Sequence, residues 1–389
     1  MIIFRRLLVP LLFAALAGAI RADVTPAALF GDHAVLQRDK LVPVWGRADA
    51  GEKVTVTFGA QIRSAVAGSD GGWIVFLESL SAATQGADLT IAGRNTITLR
   101  DIVVGEVWLC SGQSNMEFAV SRAANAAQEI ATANFPLLRH VRIEHAVAEA
   151  PADVTKTDGW KAATPENVGG FTAVGYFFAR DIFQKLGLPV GLVHSSWGGT
   201  PVEAWMSPAA MAGNPAFRIA GERWQQTLAA YPQAKADCEA QTQTLSLPNT
   251  GQALAIDIGN PNDIHPTNKQ DVGRRLALLA KKRIYGIVGD DTGPTFAGVG
   301  REGPALRVRF THAGGGLIAH DTPVHSLEIA GPDQVFHRAE GKIERDTLLV
   351  SSPAVREPVA VRYAWQNAPE ANLYNGAGLP AVPFRSDNW

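Results

Sequence analysis

Only two cysteines, Cys110 and Cys238, occur in 389 residues, so a disulfide-built scaffold is excluded. Charge of neither sign dominates, with 35 Lys and Arg against 37 Asp and Glu. That removes the electrostatic reason to expect nucleic acid or an anionic membrane as partner. The nine histidines contain no His-x-His or His-Glu-x-x-His spacing, so no metal site is encoded in a recognisable pattern and no cofactor is expected. Beyond the N-terminus no apolar run reaches the roughly 20 residues needed to span a bilayer. Internal repeats and long low-complexity linkers are missing as well.

What is present begins with a secretory pattern. Arg5 and Arg6 precede the apolar run Leu7–Ile20, and the small residues Ala17, Gly18, Ala19 and Ala22 offer cleavage sites. The run contains Pro10 and is short for a membrane span. Residues 1–22 are therefore expected to be a signal peptide and the mature chain to be exported, periplasmic or extracellular, with no membrane association after cleavage.

Three blocks follow. Residues 23–101 carry short alternating runs, such as Val54–Phe58, Trp73–Leu77 and Thr96–Leu99, separated by Gly, Asp and Ser. That pattern predicts a small antiparallel β domain. Residues 102–283 alternate apolar strands with helical spacings, including a helix over Phe171–Leu186 and a strand over Leu188–Val193. Residues 284–389 return to β patterning at 306–310, 326–329 and 359–365. The fold class is α/β: a parallel-sheet core flanked by N- and C-terminal β domains.

The core opens with the most informative stretch. The apolar run Ile102–Cys110 ends in Ser111-Gly112-Gln113-Ser114-Asn115, and a helix-compatible pattern runs from Glu117 to Ile130. A strand that turns sharply into a helix presents the hydroxyl of the turn, here Ser114, at the carboxyl end of a sheet, where open α/β sheets hold their sites. Free N–H groups beyond it suit a developing oxyanion.

A serine nucleophile needs a base. The apolar run Ala253–Ile258 reads as a strand, Gly259–Asp263 as a polar turn, and Pro266 as the opening of a helix. His265 thus occupies a second strand-to-helix loop at the same edge as Ser114. Asp263, two residues earlier, is placed to orient the imidazole, and Asp257, inside the expected strand, is the second choice. A third loop, Ser195 to Trp205, follows the Leu188–Val193 strand. Its Gly198-Gly199 pair lets backbone N–H groups approach an oxyanion closely.

The runs WLCSGQSNMEF, FTAVGYFFAR, DIHPTNKQDVGRRLAL and NLYNGAGLPAVPFRSDNW resemble, in this order, the sialate O-acetylesterase branch of the SGNH/GDSL hydrolases. The resemblance implies a flavodoxin-like SGNH core and a secreted esterase that removes O-acetyl groups from carbohydrates. It implies Ser114 as nucleophile and His265 as base. It also implies oxyanion or substrate contacts from Gly199, Gly198, Gln113 and Asn115, with Gly199 and the Ser114 N–H as the candidate donors. An acetylated carbohydrate is the expected partner.

One departure stands out. The family carries a Trp-Tyr-Gln-Gly-Glu-Ser-Asn-like block at a strand end, followed by another core strand, between the glycine and histidine blocks. Here the chain runs from Trp205 through a polar Ala/Gln-rich stretch toward Leu254 without them. An internal deletion with its seam near residues 237–239 is the expectation. A sheet lacking two strands must close a gap of about 10 Å or leave edges exposed. An impaired remnant, or a carbohydrate-binding protein without turnover, is the alternative expectation.

Overall fold

The computed structural model describes residues 23–146, 156–201, 205, 244–366 and 368–389. The expected signal segment and the expected deletion seam lie outside these residues.

Seven strands come first: β1 (Thr25–Pro26), β2 (Val35–Gln37), β3 (Val42–Arg47), β4 (Lys53–Phe58), β5 (Gln61–Val66), β6 (Gly72–Leu77) and β7 (Ala83–Ala92). In β4 and β6 every second residue is buried, the period-two signature of a sheet with one covered face. β1, β3 and β6 form one sheet, while β4, β5 and β7 lead into the long β8 (Thr96–Cys110).

β8 joins the β domain to the α/β core. Its first part pairs antiparallel with β7, and its last part pairs in parallel with β11 (Val190–His194), from Val190↔Glu106 to His194↔Cys110. β11 also pairs in parallel with β9 (Phe135–Arg142), and β10 (Lys161–Ala163) closes that side antiparallel. The expected domain boundary at 101/102 therefore falls inside one strand. Buried Arg139 bonds both the main chain and the carboxylate of Asp101 at 2.6 and 2.8 Å, tying the core to the stretch of β8 that still pairs with β7.

The expected helix over Phe171–Leu186 is α3, Ala173–Leu186 after the two short helices given below, with Thr172 accepting from the Gly175 N–H and Gly187 ending it at φ 67°. A Cβ on Gly175 would stand 2.8 Å from Cys110 Sγ, so glycine is what lets α3 lie close on β8. The last core helix, α4 (Lys269–Arg283), crosses α3 through Gly273, where a Cβ would meet the Phe178 nitrogen at 2.7 Å.

Three expectations fail. The continuous helix from Glu117 to Ile130 is instead α1 (Ser114–Glu117), a 3₁₀ turn at Val120–Arg122, and α2 (Ala126–Ala131), with Asn125 at φ 57°. Main-chain bonds to distant segments, Val120 N–H to Phe171 O and Ala124 N–H to Thr267 O, override the local helical pattern. Nor is Ala253–Ile258 a strand. It is a loop and turn, because the Asp257 carboxylate accepts both guanidinium arms of Arg275 at 2.7 Å and the Tyr374 hydroxyl at 3.1 Å. α4 starts at Lys269 rather than Pro266, with Asn268 accepting from the Asp271 N–H.

From Thr295 the described chain is β structure. Thr295–Glu302, Ala305–Thr311, Thr347–Ser351 and Glu340–Glu344 form one antiparallel sheet, and Leu327–Ala330 and Ala360–Tyr363 pair in another. Of the runs expected there, 306–310 lies within Ala305–Thr311, 326–329 begins one residue before Leu327–Ala330, and 359–365 contains the shorter Ala360–Tyr363.

One flank of β8 is bare among the described residues. Over Glu106–Cys110 its one strand partner among the described residues is β11, since β2 stops pairing at Gly105. The Gln37 side chain takes the Val107 N–H at 2.9 Å. Beyond it lies a cavity of about 540 Å³ walled by Trp108, Leu109, Phe178, Leu276 and Leu279. Leu109 is 65% exposed, an unusual state for a residue in a parallel strand.

Candidate active site

β8 ends at Cys110, Gly112 bends the backbone at φ 129°, and Ser114 is the first residue of α1. The expected strand-to-turn elbow is present, and only the helix beyond it is shorter. Three hydrogen bonds fasten the glycine loop to this elbow. Ser195 N–H donates to Cys110 O and Trp197 N–H to Gly112 O, each at 2.9 Å, and the Gln113 amide donates to Thr200 O. The amide nitrogen of Gln113 is thereby engaged with the glycine loop.

The glycine pair divides its roles. The Gly198 N–H donates to Glu117 Oε2 at 2.7 Å, so it is not a free oxyanion donor. A Cβ on Gly198 would stand 3.2 Å from Ser114 Cβ and 2.7 Å from that carboxylate oxygen, which explains glycine there. Gly199 is exposed at φ 77° with open space around it. Trp197 stacks on His145 with ring centroids 4.2 Å apart, and the Trp205 indole donates to Thr200 Oγ1 at 2.8 Å.

The histidine loop docks on the other side of α1. Asn115 Nδ2 donates to Ile264 O at 3.0 Å, while Asn115 Oδ1 accepts from Lys269 Nζ at 2.7 Å. Asn115 thus ties the residue after Ser114 to the residue before His265. Lys269 is buried, its ammonium 4.7 Å from the centre of the Phe118 ring, and burial lowers its pKa. The His265 ring lies over the same Phe118, centroids 6.4 Å apart.

Asp263 Oδ1 accepts the His265 N–H at 2.8 Å and lies 3.7 Å from Nδ1 of the ring. Asp257 is committed to Arg275 and Tyr374. Of the two candidate acids, Asp263 is the one beside the imidazole. Among the described residues no hydrogen bond joins the Ser114 hydroxyl to His265, so the two expected partners share a site without direct contact.

The remaining core histidines serve structure. His140 stacks on Phe171 at 4.4 Å, and burial pushes its pKa down to about 3. His194 meets Ser196 Oγ at 2.5 Å, and burial lowers it to about 4. Both are neutral at neutral pH. Sequence reading passed over His145, which stands 3.5 Å from Glu117 and bonds Ser196 O at 2.9 Å. It also passed over Glu117 and Lys269. Glu117 carried one signal, its place one helical turn after Ser114.

A serine elbow at the carboxyl end of a parallel strand, with a glycine loop and an Asp-His loop against it, is an arrangement able to carry acyl transfer. Residues 104–277 match the family described as carbohydrate esterase, sialic acid-specific acetylesterase. A crystal structure of a carbohydrate acetylesterase from Xanthomonas citri is similar with a TM-score of 0.83 and 35% identity, covering 94% of this chain and 100% of that one. Sialate O-acetylesterases of rat and human are each 35% identical over 204 residues, 48% and 46% of this chain. The chain spans 38% of the length of those curated relatives. It belongs to the sialic acid-specific acetylesterase family of carbohydrate esterases, which are carboxylic ester hydrolases.

Proposed function

We propose that the chain is an exported esterase that removes O-acetyl groups from carbohydrates, with an acetylated, sialate-type sugar as substrate. Ser114 attacks the ester carbonyl. His265, oriented by Asp263, takes the hydroxyl proton and returns it to the departing sugar oxygen. Water then releases acetate from the acyl-enzyme by the same route. The N–H groups of Gly199 and Ser114 receive the oxyanion. The observation that carries this reading is the convergence on one helical turn: the glycine loop is bonded through Gln113 and Glu117, the histidine loop through Asn115. Hydrolysis of an aryl acetate by the purified chain tests it. Turnover that disappears in Ser114→Ala is the expected result, and turnover that persists removes Ser114 from the mechanism.

The bare flank of β8 supports a second, finer reading: an SGNH-type core that lacks strands its relatives possess. The edge over Glu106–Cys110, which no described strand pairs, the cavity beside it and the exposed Leu109 all lie on that flank. Under this reading the oxyanion hole has one donor fewer. A missing donor costs about 10²–10³ in rate, and the enzyme is a slow one. A soluble, cooperatively folded chain with no Ser114-dependent turnover would instead favour carbohydrate binding alone.

A further inference from the structure

Glu117 has no role in the mechanism proposed above, yet its carboxylate faces the glycine loop. Oε2 accepts the Gly198 N–H at 2.7 Å, and Oε1 stands 3.2 Å from Arg142 Nη2 and 3.5 Å from His145 Nε2. The side chain is 27% exposed, so the contact is partly withdrawn from solvent. Gly198 is also the residue whose Cβ would crowd Ser114 Cβ. The glycine loop therefore meets the nucleophile's own turn at two neighbouring points.

We infer that Glu117 is a positioning residue that sets the distance between the nucleophile and the oxyanion-binding loop. The inference rests on the esterase reading of this site. Its physical basis is local. Ser114 and Glu117 begin and end one helical turn, so any movement of Ser114 carries the carboxylate with it. The carboxylate in turn holds the peptide that precedes Gly199. A charge-assisted bond to a backbone N–H is among the stronger hydrogen bonds. Arg142 donates to the carboxylate's other oxygen and restrains its rotamer, while His145, its Nε2 bonded to Ser196 O, stands beside it. Trp197, stacked on His145, completes the brace from the loop's own side. Gly199, with its left-handed φ and open surroundings, is left to present its N–H to the reacting carbonyl oxygen.

The test compares Glu117→Gln, which keeps an acceptor for the Gly198 N–H, with Glu117→Leu, which removes it. Two readouts are used: steady-state hydrolysis of an aryl acetate, and amide hydrogen exchange at Gly198 in the full chain. For Glu117→Leu, kcat should fall about 10²-fold, the usual consequence of displacing a catalytic group by about 1 Å, with little change in KM. Gly198 should lose its exchange protection. Glu117→Gln should retain both kcat and protection to within a few fold. Equal kcat in the parent and Glu117→Leu overturns the inference, as does equal loss in both variants. If the parent shows no turnover, the esterase reading fails, and exchange still decides this one. Protection lost only in the Leu variant upholds the brace; protection kept in both variants ends it.

Discussion

The two flanks of the last five residues of β8 differ sharply. On one, β11 pairs residue for residue and is itself buried, with Leu192 wholly inaccessible. On the other no described strand follows β2, Leu109 is exposed, and a cavity separates the strand from α4. The paired flank delivers the glycine loop, which extends a strand already in register with the nucleophile's strand. The other flank delivers His265, from a loop with no described strand beneath it. The two catalytic parts are thus held by different physics. A parallel ladder places the oxyanion loop, whereas side-chain bonds and the single main-chain bond from Ala124 N–H to Thr267 O place the base. Asn115, Lys269 and the Arg275–Asp257 pair do for His265 what β11 does for Gly199.

The largest expected effect concerns the part held by side chains. His265→Ala should lower kcat on an aryl acetate by about 10⁴-fold or more, because nucleophile and base act as a unit. Retention of most of the rate would move the base to His145, the other histidine near the elbow. Next in size is Arg275→Ala, which leaves the Asp257 carboxylate buried without its main partner. Breaking such a pair costs about 3–5 kcal/mol, to be read by denaturant unfolding. Arg275→Lys should recover part of that loss.

The comparison itself is sharpened by one pair of variants. Leu192→Ala, on the paired flank, should cost about 2–5 kcal/mol as a core truncation. Leu109→Ala, one strand away, should fall within about 0.5 kcal/mol, as surface changes do. Equal costs would mean that something covers the bare flank in solution. The smallest effect is a slope with pH. His140 and His194 have folded pKa values near 3 and 4, against 6.5 when exposed. Between those values the unfolded chain binds protons that the folded chain excludes. Stability should therefore be full above about pH 6.5 and fall as pH drops toward 4, by about 1.4 kcal/mol per unit for each histidine. His140→Leu should flatten that slope.

The same division explains what was legible in the sequence. The β8 run and the Gly112 bend predicted the Ser114 elbow because a buried strand ending in small residues has few alternatives. The strand before the glycine loop was legible for the same reason, as was the α3 helix with its aromatic spacing. The bare flank was read less well. Ala253–Ile258 is apolar enough for a strand, but an Asp257–Arg275 pair between distant segments leaves no periodic trace. The break of the Glu117–Ile130 pattern into three pieces is likewise set by main-chain partners just before α3 and in the histidine loop. Glu117 and Lys269 were invisible as site residues, since their roles depend on loops far away in the chain.

Mass spectrometry of the chain after treatment with an alkyl fluorophosphonate, which phosphonylates only an activated serine, tests the central claim most directly. The account predicts a single adduct on Ser114 that is lost in His265→Ala. No adduct, or an adduct on Ser114 that forms equally fast without His265, would contradict it.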